Sequence, residues 1–145
     1  MNLLELENFI KKLPDDGIVR RLDELGRVVI PVDYKVDDFI EESTIYLFRI
    51  GEYVVFKAEN EDNRGIEKTL DELGRTVINI EIRRDLNWEY KDFIAVWRIE
   101  NYIVMKKVEN KCIFCKSTEE LIEFKNKLIC KNCKKELIKA KWLNV

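Results

Sequence analysis

The sequence contains no histidine, so it lacks the commonest general base and the commonest pH switch, and Ser/His triad chemistry is excluded. It also lacks any run of 18 apolar residues. Its first stretch, MNLLELENFIKKLP, carries acids where a secretion signal has a basic start and a long apolar centre. Secretion and membrane spanning are therefore not expected, and the chain reads as cytoplasmic. What is present, 46% hydrophobic and 37% charged residues over 145 positions, suits one ordinary folded domain or two small ones. The net charge of −2 is unevenly spread. Residues 111–145 hold 9 Lys against 4 Asp and Glu, net +5, leaving 17 Lys and Arg against 24 acids, net −7, in residues 1–110. A nucleic-acid surface in the first part would be a local basic patch working against the overall charge.

The phrase LDELGR occurs at residues 22–27 and again at 70–75. Aligned without a gap, residues 17–36 and 65–84 are identical at 10 of 20 positions, and after a one-residue shift RIGEYVVFK (49–57) matches RIENYIVMK (98–106). That is an internal duplication with a unit of roughly 45 residues, too small to bury a sufficient core alone. GIVRRL and RVVIPV are β-branched-rich runs around a DELG turn and predict a hairpin. DYKVDDFIEE and EIRRDLNWEY show no strand alternation and predict a short helix in each repeat. TIYLFRI/YVVFK and DFIAVWR/YIVMK predict a second hairpin through Gly51-Glu52 and Glu100-Asn101. Ahead of the repeats, Leu3, Leu6, Ile10 and Leu13 fall at helical spacing before Pro14, which predicts an N-terminal helix packed on a core, on the cysteine module or on a partner.

GIVRRLDELGRVVIP resembles the N-terminal domain of the AbrB family of bacterial transition-state regulators, related to SpoVT and more distantly to MazE antitoxins. The resemblance covers residues 17 to about 108 and implies a swapped-hairpin barrel with a DNA-binding surface of arginines assembled across two copies. Carried over position by position, the first repeat keeps Arg20 and Arg27 but has Lys35 and Val36 in place of an arginine pair. The second has Lys68 and Arg75, keeps the pair as Arg83 and Arg84, and replaces Pro31 by Asn79. Arginine suits the task because its planar fork engages two phosphate oxygens or a guanine edge and never loses its charge. The plainer reading is that these arginines form surface ion pairs with Asp23, Glu24, Asp71 and Glu72, which contribute little.

All four cysteines fall in one stretch, as Cys112-x2-Cys115 and Cys130-x2-Cys133 separated by fourteen residues. Close thiolate pairs at this spacing wrap one tetrahedral ion, and a structural zinc would supply the folding free energy that so small a module lacks. Two disulfides or a redox CxxC are the weaker alternatives in a cytoplasmic chain. The segment resembles the treble-clef or ribbon-like zinc fingers appended to some AbrB-type proteins, with KKELIKAKWL as a helix after the second pair. Lysines from Lys125 to Lys141 would lie along DNA or form a solvated face.

These readings combine as a mainly β protein with short helices (α+β). An N-terminal helix (1–14) is followed by AbrB-like repeats at 15–59 and 63–109, which form a pseudo-twofold barrel within one chain or in a homodimer. A zinc module (111–145) completes the chain. The expected function is DNA-binding transcriptional regulation at the nucleoid, with double-stranded DNA as partner, one structural zinc, and no catalysis, membrane or small-molecule substrate. The rivals are a protein-interaction module of antitoxin or co-regulator kind and, on the cysteines alone, a metal or redox sensor.

Overall fold

β-branched and aromatic residues concentrate in short runs between turns bearing Gly and Asp, and those runs are the strands. The structure, a computed structural model, describes residues 1–14, 17–35, 39–125 and 127–140. In chain order its elements begin with α1 (Leu3–Ile10), β1 (Ile18–Arg21), β2 (Arg27–Val29), a 3-10 turn at Val32–Tyr34, β3 (Thr44–Ile50) and β4 (Tyr53–Lys57). The second repeat supplies β5 (Ile66–Thr69), β6 (Arg75–Val77), α2 (Ile80–Leu86), β7 (Phe93–Ile99) and β8 (Tyr102–Lys107). Then come β9 (Leu121–Phe124), β10 (Lys127–Cys130) and α3 (Lys131–Lys139). Residues 1–108 form one compact unit and residues 109–145 another.

In the first unit an antiparallel sheet runs β1-β7-β8-β4-β3-β5, and β2 pairs with β6 as a separate ribbon. The hairpins β3-β4 and β7-β8 form through Gly51-Glu52 and Glu100-Asn101 as expected, with Gly51 and Glu100 at positive φ. The first hairpin of each repeat does not form. The DELG turn closes, with Asp23 N–H to Arg27 O at 3.0 Å and Asp71 N–H to Arg75 O at 2.9 Å, but the strands leaving it diverge. β1 pairs with β7 of the other repeat, β5 with β3, and β2 with β6. A local run marks a strand, whereas the ladder partner is fixed by which apolar face can be buried, and that depends on residues far away in sequence.

The two repeats superpose by register. Residue i of the first matches i + 48 through residue 35 and i + 49 from residue 40 on. Ile18 opposes Val96, and its counterpart Ile66 opposes Leu47, the counterpart of Val96. In β4-β8, Val55 opposes its own counterpart Val104, and in the ribbon Val28 opposes its own counterpart Thr76. A pseudo-twofold axis therefore passes through both pairs, inside one chain. The linker after β4 has only to cross β3 to reach β5, two strand spacings or about 10 Å, so its eight residues suffice.

One sheet face, with Leu47, Phe56, Val96 and Met105, buries Val28, Ile30 and Ile78 around the ribbon together with Leu22, Leu70, Phe39 and Trp88. On the other face Leu6 and Ile10 of α1 pack on Val55, Ile99 and Val104, so α1 is a core helix laid near the pseudo-axis. Each large side chain so buried contributes about 1.5–3 kcal/mol. Asn2 starts α1 by accepting the Glu5 N–H at 2.9 Å.

Two further expectations are corrected. Of the helix expected in DYKVDDFIEE, residues 36–38 lie outside the described residues and the described part holds a 3-10 turn at Val32–Tyr34, whereas IEIRRDL forms α2; Val, Asp and Tyr are poorer helix formers than the Glu, Arg and Leu found there. Among the described residues the barrel is not closed, since β1 and β5 end the six-stranded sheet. Val36 and Lys141 lie outside the described residues.

Candidate functional site

Each DELGR turn is built by its aspartate. Asp23 Oδ1 accepts the Leu25 and Arg27 N–H groups at 2.9 and 2.8 Å, and Oδ2 accepts Arg27 Nε at 2.6 Å. Asp71 repeats this with Leu73 and Arg75 at 2.9, 2.8 and 2.8 Å. Burial works against ionisation of both carboxyls, but the arginine backbone and side chain and the leucine N–H outweigh it and hold them below the usual carboxylate range. The glycines take φ of 78° (Gly26) and 75° (Gly74), the left-handed region where a Cβ is strained.

The plainer expectation for the arginines is thus met at Nε, through Asp23 and Asp71 and not Glu24 or Glu72. Both Nη groups of Arg27 and Arg75 remain without a partner among the described residues. In the ribbon register Arg27 opposes Val77 and Arg75 opposes Val29, so both arginines share one face while Val28 and Thr76 point into the core. Two chain-distant arginines therefore stand on one outward face, related by the pseudo-axis.

The next pair of positions crosses between repeats. Arg83, on α2, lies over Gly26 and donates from Nε to Ile78 O at 2.8 Å. Its counterpart Lys35 lies over Gly74, with Nζ 3.3 Å from Leu73 O and 3.4 Å from Glu41. Arg84 is exposed and makes no hydrogen bond or ion pair among the described residues. Arg20 and Lys68 do not join this face. They lie on β1 and β5, the two edges of the sheet, opposite the core residues Ile94 and Ile45. Arg20 bonds the Val19 carbonyl at 3.0 Å, and burial pushes the Lys68 ammonium down, partly offset by Glu81. Beside the arginines stand exposed apolar residues in counterpart pairs, Leu25 with Leu73 and Val32 with Ile80.

In the second unit, β9 and β10 bring the two cysteine pairs together. The four Sγ atoms lie within 4.8 Å of one another, and Cys115 and Cys130 are 3.6 Å apart, so the thiols are free and not disulfide-bonded. Four sulfurs around one ion at 2.3 Å would stand about 3.8 Å apart, so the cluster fits a tetrahedral metal. The Phe114 N–H points at Cys112 Sγ (3.4 Å) and the Cys133 N–H at Cys130 Sγ (3.3 Å), donors that favour thiolate. Burial opposes ionisation of Cys112, yet backbone N–H groups bring it down to about 6, while a hydrogen bond with Cys130 and burial push Cys133 up. A dication at the centre would remove that disparity, because it binds all four sulfurs deprotonated.

The sequence pointed to the turn aspartates as ion-pair partners of the arginines, but not to the cross-repeat covering of Gly26 and Gly74. No protein-family model, curated protein or solved structure matches the chain.

Proposed function

We propose that this chain is a DNA-binding transcriptional regulator of the AbrB type, whose tandem repeats act as one swapped-hairpin unit and whose cysteine module is held by one structural zinc. The observation that carries the reading is the shared outward face of Arg27 and Arg75 across the β2-β6 ribbon, flanked by Arg83. The exchange of β1 and β5 between repeats supports the swapped-hairpin architecture. Arginines set a fixed distance apart on a rigid ribbon suit phosphate oxygens or guanine edges on a duplex, and the Nη groups are the ones uncommitted. Mobility shift on genomic fragments at two salt concentrations tests this. Replacing one phosphate-contacting arginine by Gln should weaken binding to all sequences and lower the salt slope by about one. A folded Arg27/Arg75/Arg83/Arg84 quadruple Gln variant that binds unchanged would reject the site.

A second reading, a protein-interaction module of antitoxin or co-regulator kind, is favoured by the exposed Leu25, Leu73, Val32 and Ile80 beside those arginines. Under it, substituting the two leucines by Ser would abolish partner binding while DNA affinity is absent throughout.

A further inference from the structure

We infer that the chain engages duplex DNA in one orientation, on a site without inverted-repeat symmetry, with the end built around Gly26 as the base-reading end. The inference rests on the DNA-binding reading above and adds what that DNA must look like.

The pseudo-twofold makes two ends whose backbones match. The Leu22 N–H bonds Asp92 O at 2.9 Å where the Leu70 N–H bonds Ser43 O at 3.0 Å, and the Lys91 and Glu42 N–H groups bond the Leu22 and Leu70 carbonyls, both at 2.9 Å. Lys91 and Glu42 even share a left-handed φ, 75° and 65°. A homodimer with this geometry would carry the same side chains twice and would suit a palindrome.

The side chains on these matched backbones differ, and the additional cations gather at the Gly26 end. Arg21 at the Gly26 end is matched by Thr69 at the Gly74 end, Tyr90 by Glu41, Lys91 by Glu42, and Arg83 by Lys35. Thr69 removes one positive charge, Glu41 adds one negative charge and Glu42 reverses one, while Asp92 matched by Ser43 and Glu89 matched by Ile40 put two acids at the Gly26 end, which is left more positive by two unit charges over these positions. The cation over the turn changes in kind as well. Arg83 keeps a planar fork with Tyr90 at the position where the other end has an acid, whereas Lys35 is a point charge beside Glu41, with its side chain only 13% exposed. A polyanion is therefore favoured at the Gly26 end over the Gly74 end. Only the Gly26 end offers two arginines, Arg27 and Arg83, to base edges. Arg75 at the far end is left as a phosphate anchor.

Selection of binding sites from a random-sequence duplex library with the full chain tests this. The expected consensus has no twofold symmetry. Arg83→Lys, which keeps the charge and loses the fork, should reduce discrimination about 5- to 150-fold at positions in one half only. The triple variant Lys35→Arg, Glu41→Tyr, Glu42→Lys gives the second end the residues the first already uses on the same backbone, and should shift the consensus toward an inverted repeat. A wild-type inverted-repeat consensus, or an Arg83→Lys effect spread equally over both halves, overturns the orientation while leaving DNA binding intact. Absence of any enrichment removes the DNA-binding reading and this proposal with it.

Discussion

Arg83 of the second repeat lies over the α-carbon of Gly26 in the first, and a Cβ added there would come within 2.7 Å of its Nη1. Gly26→Ala therefore meets two obstacles, the left-handed φ, which costs about 1–2 kcal/mol, and a guanidinium tied to the Ile78 carbonyl. Gly74→Ala meets the same φ but only the flexible end of Lys35. Both variants should unfold at lower urea concentration, Gly26→Ala by the larger margin. Equal midpoints would show that Arg83 is not held where this geometry places it.

Thr76 is buried on the pseudo-axis opposite Val28, and among the described residues no group reaches its Oγ1. A buried hydroxyl without a partner costs roughly 1–3 kcal/mol. Thr76→Val copies what the first repeat already has, and should raise the thermal midpoint by several degrees. A lowered midpoint would mean that the hydroxyl has a partner, such as a bound water.

Strands, turns and the cysteine cluster were legible in the sequence because each rests on local chemistry. Alternating β-branched runs, Gly at positive φ and paired CxxC spacing are all set within a few residues. Strand partners were not legible. GIVRRL-DELG-RVVIPV fits a hairpin locally, and only burial of Val28 against distant Phe56 and Met105 sends the strands elsewhere. The arginines were legible by type, and their sharing of one face was not, since it follows from the pairing of β2 with β6. The charge reversal between Lys91 and Glu42 becomes readable only once the one-residue shift is placed before residue 40, which the backbone hydrogen bonds locate.

The two turn aspartates give the first unit an acid limit. Their native pKa values lie below the ordinary 3.8, so the stability they contribute is fully present above that value and is lost as pH falls through the native values. Urea midpoints measured from pH 7 to pH 2 should decline most steeply below about pH 4. The Asp23→Asn, Asp71→Asn double variant should start lower at pH 7 and decline less. An unchanged slope would assign the acid sensitivity to other carboxylates.

Metal removal should act on the second unit alone. Among the described residues of the second unit little is buried besides Cys112 and Cys130, whereas the first unit has its own two-sided core. Without an ion the module lacks the free energy to hold β9, β10 and α3. After chelation under reducing conditions, hydrogen exchange should show protection lost across 112–139 and kept across 44–57. Native mass spectrometry should show one zinc leaving. Protection retained in metal-free protein would mean that the cysteines are not a structural site.

Association follows from the pairing of the repeats. Were the two repeats on separate chains, the strand that completes each sheet would come from the partner. Here β7 supplies it to β1 and β3 supplies it to β5 inside one chain, and the linker keeps the repeats at an effective concentration of order millimolar. Among the described residues the six-stranded sheet has no vacant ladder in its interior for a second chain to fill, and its edges are the short strands β1 and β5. The edge β5 carries Glu67 and Lys68, charges that discourage edge-to-edge pairing. Sedimentation equilibrium over a hundredfold concentration range should therefore give a constant mass near 17.4 kDa. A stable species of twice that mass, with crosslinks joining residues 17–58 of one chain to 65–108 of another, would show that the repeats exchange between chains and that the single-chain pairing is wrong.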